Sequence, residues 1–183
     1  MRPGGAYEKG AEFERRTCKT LSLWITAGAR DDLFWRTAMS GGRATIKMRE
    51  GSQAKAQAGD IGMIDPEGAT FLDNFFVEVK HHQDLLFHYL IVGGKSGIVE
   101  FWRKTCKDAV SHDKLPLMIV KQNRVKTLWC IDSDGIDQFS DWEFELSNFE
   151  RCYIQEIDLH IYLFDDVLKW KYKALRLESR LGI

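Results

Sequence analysis

The chain has no paired cysteines, no long apolar run and no internal repeat, and each absence narrows what it can be. Its four cysteines, Cys18, Cys106, Cys130 and Cys152, are scattered. None forms a CxxC pair or has a histidine at zinc spacing, so neither a disulfide framework nor a zinc site fits. They read as reduced, mostly buried thiols. The first residues, Met1-Arg2-Pro3-Gly4-Gly5, carry no apolar signal core, and no run approaches the roughly 20 residues of a membrane span. The expectation is an intracellular, cytoplasmic protein with no membrane partner. No segment is of low complexity, and neither charge sign is in excess, the formal net charge being −1.

What is present suits an ordered domain. The 183 residues are 44% hydrophobic and 12% aromatic, enough for one sizeable core. The near-zero charge hides a polarity. Over residues 43–58 the charges are Arg43, Lys47, Arg49 and Lys55 against Glu50 alone. Over 101–130, Arg103, Lys104, Lys107, Lys114, Lys121, Arg124 and Lys126 face only Asp108 and Asp113. Over 131–166 the balance reverses, to eleven acids and one Arg. A basic polyanion-binding face with an acidic face elsewhere accounts for this. On charge counts alone, ordinary solvated surface is the simpler account.

Phe13, Thr17, Leu21 and Trp24 recur at helical spacing over residues 8–27, with Gly28 placed as a C-terminal cap. Residues 33–38 read as a strand, 43–59 as a loop, 60–64 as a short strand, and 65–68 as a turn with Pro66 second. A strand ends at His81, residues 85–92 and 97–112 read as helices, and 117–121 and 127–131 as strands. Asp165 is the expected cap of a final amphipathic helix. The order αβββαβ(β) predicts an α/β domain with a mixed central sheet.

The single Asp/Glu-x-Lys triplet, Glu78-Val79-Lys80, closes the apolar run Phe75-Phe76-Val77. In a strand its two charged side chains share a face, about 6–7 Å apart, while Val77 and Val79 face the core. Charges forced together on a buried strand are costly unless something uses them. Phosphodiester hydrolysis would use them, since it needs charge stabilisation on the phosphoryl oxygens and an activated water. Oxygen-ligated Mg²⁺ supplies both with one or two carboxylates. Asp60, heading the run Ile61-Gly62-Met63-Ile64, and Glu78 are the candidate ligands, with the Val79 carbonyl as a third. Lys80 is the candidate for holding the attacking water and offsetting negative charge. The bland reading is a surface ion pair beside a core strand.

Gly10-Ala11-Glu12-Phe13-Glu14-Arg15, Trp35-Arg36-Thr37-Ala38-Met39-Ser40-Gly41-Gly42, Gly59-Asp60-Ile61 and Val77-Glu78-Val79-Lys80 together resemble the PD-(D/E)xK nuclease superfamily. Within it, their order is similar to the Holliday junction resolvases of archaeal and phage type. The resemblance implies an α/β restriction-endonuclease-like core over residues 1–131. Residues 132–183 remain as an acidic extension, ending in a helix and packed on the same domain. It implies a Mg²⁺-dependent endodeoxyribonuclease, Mn²⁺ substituting, that cuts branched DNA in recombination and is of phage origin. Glu14 would complete the metal site directly or through water. Ser40 and Arg15 would orient the scissile phosphate, and Arg36, Arg43, Lys47, Arg49 and Lys55 would contact DNA. Two coordinated cuts imply a homodimer, and the acidic region could serve a protein partner. Gly59 departs from the Pro of many relatives, and the loop over 43–59 is longer than in compact resolvases. The alternatives are a restriction- or repair-type endonuclease on duplex DNA, and a non-catalytic nucleic-acid-binding module on a nuclease scaffold. The second sits poorly with the presence of Glu14, Asp60, Glu78 and Lys80 together.

Overall fold

A computed structural model describes residues 5–37, 59–92, 96–138 and 150–169. Helix α1 (Gly5–Ile25) buries the expected stripe of Phe13, Thr17, Leu21 and Trp24. It ends because Ala27 and Gly28 take positive φ, 51° and 91°, and the Gly28 N–H turns back to the Leu23 carbonyl at 2.6 Å. Ser22, fully buried on this helix, donates to the Cys18 carbonyl and accepts from the Leu33 and Phe34 N–H groups at 3.1 and 3.3 Å. That hydroxyl clips the next strand to the helix.

Strand β1 (Phe34–Arg36) pairs antiparallel with β2 (Ile61–Met63), Arg36 opposite Ile61. Both are shorter than the sequence suggests, and they form a separate two-stranded sheet. The turn after β2 is a 3₁₀ turn (Pro66–Gly68) capped by the Asp65 side chain. Helix α2 (Ala69–Leu72) leads into β3 (Phe75–His82). The segment expected to be helical over 85–92 is helical only at α3 (Tyr89–Val92). Leu86 interrupts it with φ 52°, and the Leu85 N–H is held by Gln122 Oε1 at 2.7 Å.

Helix α4 (Gly97–Ser111) crosses over to β4 (Leu115–Gln122), which runs parallel to β3 with Phe75 opposite Leu115 and His81 opposite Lys121. Strand β5 (Leu128–Ile131) returns antiparallel. The acidic stretch contains α5 (Ser133–Asp137), β6 (Glu150–Ile154), β7 (Leu159–Leu163) and α6 (Phe164–Val167). Strand β7 inserts between β5 and β6, so the main sheet has the order β3-β4-β5-β7-β6. It is mixed, as expected, and hydrogen bonding runs across residue 131 from Leu128 to Leu163. The cap of α6 is Leu163, not Asp165, which lies in its first turn. The rest of the expected C-terminal helix lies outside the described residues.

Alternation along the strands divides the core. Val77, Val79, Leu117, Ile119, Trp129, Ile131 and Tyr162 pack with Phe13, Leu21 and Trp24 of α1. On the other face Met118, Val120, Cys130 and Ile161 pack with Ile98 and Trp102 of α4. Strand β3 lies at the edge of this sheet.

Candidate active site

The alternation that puts Val77 and Val79 in the α1-side core turns Glu78 and Lys80 to the opposite face. There the Lys80 ammonium lies 2.6 Å from Glu78 Oε1 and 3.2 Å from Asp60 Oδ2. Asp60 reaches this position along the free edge of β3. Its N–H donates to the Val77 carbonyl at 3.0 Å, and its Oδ2 accepts from the Val79 N–H at 2.8 Å. Thr37 closes the other side, its N–H donating to the Asp60 carbonyl at 3.0 Å and its hydroxyl to the Gly59 carbonyl at 2.8 Å.

Gly59 sits at φ 89°, and a Cβ there would lie 2.5 Å from the Val77 carbonyl oxygen. Proline cannot take that φ. The departure from the Pro of many relatives is therefore a requirement of this backbone: glycine lets the chain approach β3 closely enough to seat Asp60.

Asp60 and Glu78 are 1% and 4% exposed. Burial, and then the charge of Asp60, push the Glu78 carboxyl above its ordinary pKa. Burial works against the Lys80 charge, but Asp60 and Glu78 together outweigh it and hold the ammonium above its ordinary value. Lys104 of α4 adds a second cation 3.7 Å from Glu78 Oε1, on a largely exposed side chain. One atom is left over. Among the described residues, the buried Asp60 Oδ1 has no hydrogen-bond partner, unusual for a carboxylate oxygen.

Glu14 comes down from α1 and pairs with Arg36 Nε at the end of β1. Burial raises the Glu14 carboxyl, and the Arg36 bond opposes the rise; the charges of Asp60 and Lys80 are also felt there. Arg36, expected to contact DNA, is thus engaged by Glu14. Arg15 lies exposed and paired to Glu12 at 2.9 Å, away from the Asp60–Glu78–Lys80 group in its bonding. Ser40, Arg43, Lys47, Arg49 and Lys55 lie outside the described residues. Gln122 is used as a staple for Leu85, and His81 packs against Phe13 while its Nε2 meets Asn123 Oδ1 at 3.0 Å.

Among the described residues no three His, Cys, Asp or Glu side chains converge into a metal cage. The described carboxylates on Lys80 are two, Asp60 and Glu78, with Glu14 held on Arg36. Two carboxylates suit a hard, oxygen-preferring cation that keeps several waters, and the orphaned Asp60 Oδ1 is an open donor for one. The Val79 carbonyl shares the edge used by the Val79 N–H, since both groups of a strand residue project the same way. Thr37 and Lys104 were not singled out from sequence. Thr37 acts through main chain, which leaves no pattern, whereas Lys104 stands two positions from Trp102 on the helix that covers β3.

A mixed α/β sheet whose edge strand carries Glu-x-Lys, with an Asp seated beside it, defines the restriction-endonuclease-like class of nucleases. Over residues 5–176 the chain matches the model of a family described as "Phage putative PDDEXK endonuclease", and it belongs to that family. No curated protein and no solved structure matches it. The match continues past residue 131, so the acidic stretch lies within the family's span up to residue 176. Nucleases of this type generally use divalent metal ions. Among the described residues no helix is long and apolar enough to cross a membrane.

Proposed function

We propose that this endonuclease hydrolyses phosphodiester bonds in DNA with the help of a divalent metal, Mg²⁺ with Mn²⁺ able to substitute, and that its substrate is branched. The observation that carries the metal reading is the buried, unpartnered Asp60 Oδ1 beside Glu78 and Lys80. A carboxylate oxygen withdrawn from water without a partner costs on the order of 1–3 kcal/mol or more, and a cation there would recover it. Asp60, Glu78 and the Val79 carbonyl are the ligands in this reading. The metal would neutralise phosphoryl charge and lower the pKa of a bound water.

The remaining work falls to the chain's own side chains. Lys80, kept protonated by its two carboxylates, presents N–H donors where negative charge grows. Its compact ammonium suits a single oxygen, where a guanidinium would demand two. Glu14 holds Arg36 at the end of β1 and so fixes the strand that delivers Thr37 to Gly59 and Asp60. Burial of the group limits access to the strand edge.

Preference for a four-way junction, and the homodimer that paired cuts would need, are supported by the order of the motifs. The test is cleavage of four-way junction, flap, duplex and single-stranded DNA with Mg²⁺, Mn²⁺ or EDTA, comparing the native chain with Asp60→Ala and Lys80→Ala. Cutting that needs metal and is lost in both variants is the expected result. No cutting of any substrate would sink the proposal, and equal rates on duplex and junction would remove the branched-DNA part.

A further inference from the structure

A cleft of about 480 Å³ lies between α1, the turn joining β4 to β5, and α6. None of the residues of the carboxylate site lines it. Arg16, Lys121, Arg124 and Lys126 converge on it against one acid, Asp165. Among the described residues none of these four cations is in an ion pair. Four like charges against one acid repel one another, so the arrangement favours an anionic occupant.

Thr17, which also lines the cleft, gives an independent sign of a ligand. It is 2% exposed, yet among the described residues its hydroxyl has no hydrogen-bond partner. Three other hydroxyls on or just after helices bond back one turn: Ser22 to the Cys18 carbonyl at 2.9 Å, Thr26 to the Ser22 carbonyl at 2.8 Å and Thr105 to the Phe101 carbonyl at 2.9 Å. Thr17 alone of these is left as a buried donor beside the cationic wall. The turn that carries Arg124 is also unusual. Arg124 holds φ 65°, a region bulky residues rarely enter and one that concentrates at functional loops. Its neighbour Asn123 is tied to His81 at 3.0 Å.

We propose that this cleft binds the sugar–phosphate backbone of the DNA substrate away from the bond to be cut. The four cations and the Thr17 hydroxyl contact phosphate, and Phe164 and Leu168 supply an apolar wall for the sugar. The volume exceeds what a lone phosphate fills. The cleft opens beside the C-terminal ends of the parallel pair β3 and β4, where His81 stands opposite Lys121; α/β sheets gather ligands at those ends. Glu14 and Thr17 are one turn apart on α1, so a single helix borders both this cleft and the Arg36 pair. The choice of DNA as the polyanion rests on the nuclease reading.

The test is equilibrium binding of fluorescent duplex and four-way junction to the full chain in EDTA, across a salt series. Arg124→Ala/Lys126→Ala is compared with the native chain and with Arg103→Ala/Lys107→Ala, an equal charge loss on the exposed side of α4. Two lost phosphate contacts should lower affinity on the order of tenfold and make the slope of log K against log salt shallower by about 1.8. The α4 pair should leave the slope near the native value. A cleft variant that matches either the native chain or the α4 control in affinity and slope overturns the proposal. Thr17→Val should weaken binding without lowering the melting temperature, and native affinity in that variant would overturn the role of its hydroxyl. If inorganic phosphate raises the melting temperature of the native chain but not of the cleft variant, while both bind DNA alike, the cleft takes free anions and the DNA assignment falls. Cleavage is scored separately. A chain that binds DNA through the cleft and never cuts refutes the nuclease reading and leaves this one standing.

Discussion

Replacing Asp60 by Asn exchanges one carboxylate oxygen for an amide nitrogen with almost no change of shape. The amide oxygen can still accept from the Val79 N–H, which reaches Asp60 Oδ2 at 2.8 Å. What disappears is a buried negative charge whose second oxygen has no partner. The Nδ2 that takes its place is itself a buried donor without a partner, so the gain comes from removing the buried charge and not from relief of that position. The repulsion between Asp60 and Glu78, one of the causes of the raised Glu78 pKa, disappears as well. Against this stands the lost attraction to Lys80, softened because Lys80 keeps Glu78 at 2.6 Å. The balance favours the variant by about 1–2 kcal/mol without metal. For a chain of this size that is a rise in melting temperature of roughly 3–6 °C.

Added Mg²⁺ should reverse the order. A cation at a hundred times its Kd stabilises the native chain by about 2.7 kcal/mol, whereas Asp60→Asn should respond little. Calorimetric or fluorescence melts of both proteins, with EDTA and along a Mg²⁺ series, read the two effects without any reference to cleavage. Cutting should be abolished in the variant. An Asp60→Asn chain less stable than the native one in EDTA would mean that the carboxylate is structural and refute this reasoning. Equal responses to Mg²⁺ would show that the ion does not sit on Asp60.

Gly59→Ala places a Cβ 2.5 Å from the Val77 carbonyl at a φ of 89°; it should cost about 1–3 kcal/mol in denaturant melts and lower kcat by displacing Asp60. Ser22→Ala strands the Leu33 and Phe34 N–H groups and should cost about 1–3 kcal/mol, with cleavage by the folded fraction unchanged; a neutral effect on stability would refute the clip. Burial pushes the Asp132 carboxyl up to about 6 from 3.8. The folded state therefore holds its proton more tightly than the unfolded one, and this group's stability is present at low pH and lost as pH rises from about 4 through about 6. Asp132→Asn keeps a good N-cap for α5 and should gain about 1 kcal/mol at pH 7 after allowance for screening. Melts from acid to neutral pH should show the variant gaining on the native chain as pH rises, and a constant difference would refute the assignment.

The site was legible in sequence wherever its logic is local. Two-residue alternation was enough to put Glu78 and Lys80 on one face and Val77 and Val79 in the core, because a strand fixes that relation whatever lies beyond it. The seat of Asp60 was not legible. It depends on a parallel bridge between Gly59 and Val77 and on Thr37, pieces of chain far apart in number whose contacts are main-chain and carry no composition. As a motif position Gly59 is only a departure from proline; its φ and its distance to Val77 make it a necessity. The place of the acidic stretch in the sheet was not legible for a related reason. Strand β7 enters the sheet between β5 and β6, a placement decided by pairing with Leu128–Ile131 and not by its own short run. Charge along the chain also does not show how Arg15 and Arg36 are held. Both are cations beside the motif, but the paired acids on α1, Glu12 and Glu14, decide their placement. Arg16, Lys121, Arg124 and Lys126, which among the described residues have no acid partner, come together only when α1 packs over the β4–β5 turn. A polyanion surface built from distant segments is therefore visible in the fold and almost invisible as a count along the chain.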